Sequence, residues 1–475
     1  MTPAMTPEFA ILGHPNEGKS SVLSTLAEDD SVRISEIPGE TTECRTFPVI
    51  IDGRELLRFT DTPGFQNPAR VLSQFKKLNS NGERTIEKFR QAAAHIPELR
   101  DDCELLKPVE RGAGIIYVVD GSRPVRNVDR AEMEILRLTG KPRMAIINCK
   151  DDNFGYLDDW KAEFRMNFNS NQLFNAHRAT YAERIRLLEA LKSIDQDWYH
   201  PLSLVISAFK KDWNERNSLT AEIISDLLAD CLSLKLSKNI ATPSEEEAVR
   251  TELFEKYKKI LNQKEKSAQQ QIRTLFKHNI FNYHLPPHSI LPENLFDEKN
   301  WQLLGLTKKQ TIIAGGLGGA TLGAGLDVAA LGHALGLFTA LGGIAGALGA
   351  LLGGENISGR TQILGIPLGG ETVQVGPPKN VALLFILLNR ILLYYRHTIN
   401  WAHGRRDYPA SVDTLTTNEP YLGFTHRWSS GNIKICHDFF KTIQKNNREE
   451  NTEVKEKFRQ ILMKSLKDIS EDKVN

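Results

Sequence analysis

The first half of the chain alternates short apolar runs with segments in which apolar residues recur at helical spacing. This alternation predicts an α/β fold, in which a mainly parallel sheet is flanked by helices. Apolar runs bounded by polar or turn residues are the expected strands. They cover residues 9–12, 46–51, 56–60, 114–119, 144–148 and 202–206. Residues 66–112 interrupt the alternation with a long, mostly helical insertion, which is either a packing subdomain or a mobile element.

The second half is mostly α-helical in pattern. Residues 243–282 form a charged amphipathic segment, which predicts a helical connector. Residues 381–395 are nearly all apolar, and because fifteen residues are short for a membrane span, they favour a core helix. Residues 361–376 predict a short β-hairpin that turns at Gly369-Gly370.

A glycine-rich apolar run over residues 312–354 predicts a helical hairpin. Its 43 residues hold four polar side chains, and small residues recur every four positions, as at Gly315, Gly319 and Gly323. Small residues at this spacing let two helices approach closely, and the length suits two helices of about 17–20 residues. The basic residues that flank the run indicate a hairpin inserted from the cytoplasmic face of a membrane. The alternative is a hairpin buried inside a soluble domain.

Length, charge and cysteine content narrow the class of protein. A chain of 475 residues is long enough for several domains, and we expect them at residues 1–236, 237–305, 306–358 and 359–475. The net charge of +1 gives no strong nucleic-acid signal. The five cysteines lie far apart, which disfavours a disulfide framework or a zinc site. With no secretion signal recognised, we expect a cytoplasmic protein, with contact to the inner face of the membrane if the hairpin inserts.

The most specific motif is Gly13-His14-Pro15-Asn16-Glu17-Gly18-Lys19-Ser20, which follows the first predicted strand and opens a predicted helix. The backbone amides of such a phosphate loop surround phosphates, a helix N-terminus points at them, and the lysine adds a positive charge. The sequence therefore predicts a site for a nucleoside triphosphate. The residues expected to contact the nucleotide here are Gly13, Asn16, Glu17, Gly18, Lys19, Ser20 and Ser21.

A second motif, Asp61-Thr62-Pro63-Gly64, predicts a metal site and a contact to the γ-phosphate. It follows a predicted strand, so Asp61 lies at a strand's carboxyl end, where open α/β sheets bind ligands. Asp61 and Ser20 are the expected ligands of Mg²⁺, joined by Thr41 or Thr42 when the triphosphate is bound. The backbone amide of Gly64 is expected to reach the γ-phosphate. The expected catalytic residues are Lys19, Thr42 and Gly64.

Together these motifs resemble those of the Era/TrmE-like branch of bacterial translation-factor-related GTPases, over residues 9 to about 235. The resemblance implies a P-loop GTPase fold, GTP and GDP as ligands and Mg²⁺ as cofactor. The family's base-recognition motif, Asn/Thr-Lys-x-Asp, has a partial match in Cys149-Lys150-Asp151-Asp152. This match implies that Lys150 and Asp152 contact guanine. If the motif instead begins at Asn148, Lys150 falls third, one position later than the lysine of the family motif.

The family's last motif, Ser-Ala-Lys, is similar to Ser207-Ala208-Phe209 after the predicted strand 202–206. The resemblance implies that Ser207 and Ala208 also line the base. The third residue departs from the family pattern, as Cys149 does in the preceding motif.

Two positions bear on the rate of hydrolysis. Phe65 stands where many related GTPases have a glutamine that orients the attacking water, and an apolar side chain cannot polarise water. We therefore expect slow turnover that needs help from an ion, a nucleotide-dependent dimer or a protein partner. The resemblance implies that Asn16 holds a K⁺ ion, which stabilises the transition state; the alternative is that Asn16 only stabilises the loop turn.

The whole chain also resembles bacterial GTPases that join such a domain to a C-terminal domain of unknown function. The expected function is a GTP-hydrolysing switch that signals through residues 66–112 and the helical C-terminal half to a membrane or a protein partner. One alternative is a soluble GTPase of ribosome or RNA assembly, which calls for a basic domain that the composition does not supply. Another is a nucleotide-binding interaction module with negligible hydrolysis.

Overall fold

The computed structural model describes twelve segments of the chain. They are residues 6–27, 43–51, 54–78, 83–149, 154–174, 181–276, 356–357, 362–363, 366–367, 371–400, 423–445 and 448–471. The predicted hairpin at 312–354 lies outside them. The chain divides into two compact units, with a boundary between Asn214 and Glu215.

A six-stranded sheet forms the centre of the first unit, with strand order β2-β3-β1-β4-β5-β6. Every neighbouring pair is parallel except β2 and β3, which form an antiparallel edge. The strands are β1 Glu8–Leu12, β2 Arg45–Ile51, β3 Arg54–Asp61, β4 Gly114–Asp120, β5 Arg143–Asn148 and β6 Ser170–Leu173. The first five confirm the predicted strands, and the mainly parallel sheet confirms the predicted fold class.

The sixth predicted strand, at residues 202–206, is wrong. These residues lie inside a long helix, Gln196–Ser233, in which Leu202, Val205 and Ile206 are buried and Leu204 is exposed. That burial follows the helical period, which a short apolar run does not reveal by itself. The strand that takes this place, β6, is a polar edge strand without an apolar pattern.

Helices cover both faces of the sheet. They are α1 Lys19–Ala27, α2 Pro68–Lys77, α3 Glu83–Ala93, α4 Arg100–Glu110, α5 Asn127–Leu138, α6 Leu157–Asn167, α7 Tyr181–Lys192 and α8 Gln196–Ser233. Alternate residues of β1 serve the two faces: Phe9 and Ile11 join the core beneath α1, α7 and α8, whereas Ala10 and Leu12 join the core beneath α2 to α6. The insertion predicted to be mostly helical thus consists of α2, α3 and α4.

The second unit combines a small sheet with long helices. Its elements after α8 are β7 Leu236–Ile240, α9 Glu246–Leu275, β8 Asn356–Ile357, β9 Gln362–Ile363, β10 Ile366–Pro367, β11 Glu371–Val375, α10 Ala382–Ile399, α11 Ser430–Lys445 and α12 Arg448–Ser470. A short antiparallel pair does form within residues 361–376, between β9 and β10. The predicted turn at Gly369-Gly370 is wrong, because β11 pairs with β7 and β8 instead of β10. Strand β7 is about 130 residues earlier in the chain, and local turn signals do not reveal so distant a partner.

Helix α10 confirms the apolar helix predicted over 381–395. Within the described segments it is the one helix long and apolar enough to cross a bilayer, and 83 % of its apolar window is buried inside the protein. Its Arg390 is also buried and forms an ion pair with Glu265 of α9, at 2.7 Å between Nε and Oε1. Burial of this kind is typical of a core helix.

Candidate nucleotide-binding site

The phosphate loop joins the end of β1 to the start of α1, and its backbone requires its two glycines. Gly13 has a φ of +142°, and a Cβ there would lie 2.3 Å from the carbonyl oxygen of Val118 on β4. Gly18 has a φ of +91°, which other residues adopt only with strain. Asn16 has a φ of +66°, and asparagine tolerates this region better than most residues. The loop is therefore shaped by local backbone geometry.

Lys19, Ser20 and Asp61 meet at the mouth of this loop, as the sequence predicts. The ammonium of Lys19 donates to the backbone carbonyl of His14 at 3.0 Å, and the Ser20 hydroxyl donates to Asp61 Oδ2 at 2.9 Å. The other carboxylate oxygen of Asp61 is buried and has no hydrogen-bond partner among the described residues. A hydroxyl and a free carboxylate oxygen side by side are ligands that Mg²⁺ prefers, together with phosphate oxygens.

Burial raises the pKa of Asp61, and the nearby Lys19 ammonium and Ser20 hydroxyl oppose this effect. A buried carboxylate that is only partly compensated attracts a further cation. The donor set and the orphaned oxygen thus both fit a divalent metal ion.

The segment that follows Asp61 packs directly on the phosphate loop. A Cβ on Gly64 would lie 2.6 Å from the backbone nitrogen of Pro15, so only glycine allows this approach. The amide of Phe65 donates to the carbonyl of Gly13 at 3.3 Å. The Phe65 ring is fully buried in the core, so it takes no part in orienting water.

Two buried carboxylates of α5 near the loop, Asp129 and Glu132, were not predicted from the sequence. Glu17 forms an ion pair with Arg123, which follows β4, at 2.5 Å, and the same guanidinium contacts Asp129 of α5 at 2.7 Å. Although burial acts in the opposite direction, hydrogen bonds from Arg123 and Arg126 hold the pKa of Asp129 below its ordinary value. Glu17, expected to contact nucleotide, thus directs its side chain toward the connection between β4 and α5.

A second contact fixes the loop to the same helix. His14 Nδ1 lies 3.0 Å from Oε1 of the fully buried Glu132, whose other oxygen accepts the Tyr117 hydroxyl at 2.8 Å. Burial raises the pKa of Glu132, and its two hydrogen-bond partners oppose this effect. The only sequence signal for this pair is a glutamate on the apolar face of a predicted helix, which is too general to use alone.

Asn148, which immediately precedes the predicted base-recognition motif, also contacts the loop. Its buried side-chain amide donates to the backbone carbonyl of Glu17 at 3.1 Å. Because Asn148 ends β5, this contact fixes the start of the predicted base-recognition segment against the phosphate loop. It supports a second register of the motif, in which Asn148 stands first and Asp151 stands fourth.

Four predicted site residues lie outside the described residues: Thr41, Thr42, Lys150 and Asp152. Their roles stay predictions. Ser21 is buried in the first turn of α1.

The predicted base contacts of Ser207 and Ala208 need a correction. Both residues lie in the interior of α8, whereas the prediction placed them in a loop at a strand's carboxyl end. A helix interior uses its backbone amides for its own hydrogen bonds, so it offers no such loop to a base.

Two family models match the chain. A model described as a 50S ribosome-binding GTPase matches residues 8–149, and a model described as a domain of unknown function (DUF3482) matches residues 161–467. The second match covers more than half of the chain. The first covers the phosphate loop and the Asp61 motif.

Curated relatives match the N-terminal part of the chain. GTPase Der of Aromatoleum aromaticum is 24 % identical over 197 residues, which are 40 % of this chain and 38 % of the relative. The tRNA modification GTPase MnmE of Thermotoga petrophila is 27 % identical over 143 residues, which are 30 % of this chain and 26 % of the relative. The chain therefore spans well under half the length of these relatives.

Solved structures show weak overall similarity. NFeoB from S. thermophilus bound to GDP, aluminium fluoride and K⁺ is 15 % identical with a TM-score of 0.27, covering 57 % of this chain and 89 % of that one. An Aquifex aeolicus Era variant bound to GDP and aluminium fluoride is 16 % identical with a TM-score of 0.26 over the same shares. These scores are too low to support an argument. The matching family models, with the phosphate loop in place, show that the chain belongs to the DUF3482 family and has an N-terminal P-loop GTPase domain related to Der and MnmE.

Proposed function

We propose that this protein is a GTP-hydrolysing switch, whose nucleotide state is transmitted to its helical insertion and its C-terminal domain. One observation carries the proposal: Ser20 at the start of α1 contacts the buried Asp61 at the end of β3, next to Lys19. This arrangement brings a helix N-terminus, an ammonium and two metal-binding oxygens to one point, as phosphoryl transfer from a nucleoside triphosphate requires.

Each group then has a defined role. The amides of the phosphate loop and the Lys19 ammonium neutralise charge on the β- and γ-phosphates. Ser20 and Asp61 hold Mg²⁺, which when bound neutralises charge that develops on the phosphate oxygens. The Gly64 amide senses the γ-phosphate, and the close packing of Gly64 on Pro15 of the phosphate loop supports this role. With Phe65 buried, no side chain at that position orients water, so intrinsic turnover is slow.

Calorimetry of the full-length protein with Mg²⁺ tests this proposal. We expect binding of GTP and GDP, little binding of ATP, and loss of GTP binding in Lys19→Ala. Lys77→Ala, an exposed lysine at the end of α2, is the matched control. Preference for ATP, or GTP binding unchanged by Lys19→Ala, would contradict the proposal.

We further propose that Asn16 holds K⁺ during hydrolysis, and an Asn16→Gly variant separates this role from a structural one. Glycine accepts the φ of +66° at this position without strain, yet it removes the side-chain oxygen. We expect K⁺ to accelerate GTP hydrolysis relative to Na⁺ about tenfold or more in the wild type, and to have little effect in the variant. The measurement is the initial rate in matched KCl and NaCl buffers.

The control for this prediction is GDP affinity, which the variant should retain because the loop backbone keeps its shape. A K⁺ effect of equal size in Asn16→Gly would show that the side chain only stabilises the turn. A rate that rises with protein concentration in both proteins would instead point to help from a nucleotide-dependent dimer.

We also propose that residues 312–354 bind the inner face of the cytoplasmic membrane. Support comes from the sequence alone: an apolar run with small residues every four positions and basic flanks. We expect the full chain, but not a variant without 312–354, to float with liposomes and to resist extraction by high salt. Flotation lost on adding salt would contradict insertion into hydrocarbon, and cosedimentation with ribosomes in place of flotation would favour the ribosome-assembly alternative.

A further inference from the structure

The helical insertion contacts the chain on both sides of the nucleotide site through a single helix, α4. Asp102 and Glu104 are two residues apart near the start of this helix. Asp102 contacts the segment that follows Gly64, and Glu104 contacts the segment that follows Thr42 in the sequence. Both segments belong to the part of the site expected to move when the γ-phosphate leaves.

The contact of Asp102 is made with backbone amides. Its Oδ1 accepts the amide of Gln66 at 3.0 Å, and the amide of Asn67 donates to Oδ2 at 3.1 Å and to Oδ1 at 3.4 Å. The side chain is fully buried, so losing either amide would leave an unsatisfied buried group. The position of the chain immediately after Phe65 is thereby tied to α4.

A neighbouring contact strengthens this tie. The Asn67 side-chain amide donates to the carbonyl of Glu98 at 2.6 Å, in the short turn Pro97–Leu99 that leads into α4. Asn67 is also the residue that precedes α2. The start of α2 and the start of α4 are therefore fixed to one another at the exit of the Asp61 motif.

The contact of Glu104 is made on the opposite flank. Its carboxylate accepts the Cys44 amide at 3.4 Å, and its backbone carbonyl accepts the Cys44 thiol at 3.2 Å. Cys44 immediately precedes β2, which pairs with β3.

We propose that α4 couples the two nucleotide-dependent segments, with Asp102 and Glu104 as positioning residues, so that the insertion reports the presence of the γ-phosphate. This inference rests on the proposed function, because it assigns a readout to the same site. Since both contacts involve the backbone, movement of either segment strains them whatever side chains it carries. Leu105, Leu106 and Val109 lie on the same face of α4 as Asp102 and pack into the core, so the helix is held rigidly at this face.

The test compares Asp102→Asn with Asp101→Asn in the full-length protein. Asparagine matches the shape of aspartate but has only one oxygen, so at least one of the three contacts between Asp102 and the two amides is lost, and an NH2 group replaces an acceptor. Asp101 undergoes the same chemical change one residue away, and its side chain is only partly buried. Hydrogen–deuterium exchange is measured with GDP and with a non-hydrolysable GTP analogue in the presence of Mg²⁺.

We expect wild type and Asp101→Asn to show different exchange in the two nucleotide states, both in the phosphate loop and in residues 97–110. Asp102→Asn should keep the response of the phosphate loop and lose that of residues 97–110. It should also lower kcat for GTP hydrolysis about tenfold with unchanged GDP affinity, because the disturbed segment lies on the γ-phosphate side. A merely structural role for Asp102 would lower both responses together.

The dependence of kcat on pH provides a second readout. Burial raises the pKa of Asp102 to about 6, the two amides oppose this effect, and the Asp101 charge adds to it. Among the described residues, Asp101 and Cys103 are the titratable groups beside it on α4, whereas Gln66 and Asn67 face it with amides. Protonation at lower pH removes one acceptor oxygen, so kcat should fall below about pH 6 in the wild type and stay flat there in Asp102→Asn.

A second variant guards against a folding defect. Glu104→Ala alters a partly exposed side chain and should also weaken the response of residues 97–110. If Asp102→Asn responds like Asp101→Asn while the wild type binds and hydrolyses GTP, the proposed coupling is overturned but the proposed function is not. If no guanine nucleotide protects the phosphate loop of the wild type from hydrogen–deuterium exchange, the proposed function and the coupling are both overturned.

Discussion

Replacing Asp61 with asparagine is expected to lower the rate of GTP hydrolysis roughly 100-fold or more, because the variant loses the anionic ligand of the metal site. Asparagine keeps one oxygen that can accept the Ser20 hydroxyl, which lies 2.9 Å from Asp61 in the wild type. The contact between β3 and α1 can therefore persist. The rate is measured in single-turnover hydrolysis over a titration of Mg²⁺, and we expect the variant to require a much higher Mg²⁺ concentration.

The Asp61→Asn substitution should leave the fold intact. Burial raises the pKa of Asp61, which means that the fold disfavours the charged form at neutral pH. Removing the charge therefore should not lower the free energy of unfolding, and thermal unfolding checks this. Asp159→Asn, on the exposed surface of α6, is the matched control. Wild-type hydrolysis by Asp61→Asn at low Mg²⁺ would refute the assignment of the metal site.

Changing the carboxylate that binds guanine to an amide is expected to weaken GTP binding about 100-fold or more, since two charge-assisted hydrogen bonds are lost. The same change should favour xanthosine triphosphate, because xanthine presents a carbonyl oxygen where guanine presents an amino group. The sequence match predicts Asp152 for this role. The contact of Asn148 with the phosphate loop supports the register in which Asp151 has it.

Asp151→Asn and Asp152→Asn serve as matched controls for each other. Competition binding with GTP and xanthosine triphosphate should show a reversed preference in one variant and wild-type behaviour in the other. Reversal in Asp152→Asn would uphold the register that begins at Cys149, and reversal in Asp151→Asn would uphold the one that begins at Asn148. Unchanged preference in both would mean that neither carboxylate recognises the base.

The strands of the first unit were predictable where the apolar pattern was strong. Strand β1 and strand β4 are buried on both faces, so their residues are almost all apolar and their position in the sequence is plain. Strand β6 is a polar edge strand, whereas residues 202–206 are a helical segment whose composition is typical of a strand. Pattern alone does not separate these cases, because short apolar runs occur in both kinds of element.

The residues that bind phosphate and metal were predictable for a different reason. The motif at residues 13–20 is contiguous, and its function depends on backbone geometry that glycine at Gly13 and Gly18 makes possible. Asp61 is distant in the sequence but lies at the end of a recognisable strand. A parallel sheet brings such ends to one edge, so the Ser20–Asp61 contact follows from topology.

The partners of His14, Glu17 and Gln66 were decided only by the tertiary structure. Their contacts with Glu132, Arg123 and Asp102 join residues 36 to 118 positions apart. The sequence by itself determined that a phosphate loop, a metal-binding aspartate and a helical insertion exist in one domain, because each is encoded within a short stretch of chain. Packing decided which helices contact the phosphate loop and the segment that follows the Asp61 motif. Hydrogen bonds between distant segments depend on how whole elements pack together, and they leave no periodic pattern in the sequence of either segment.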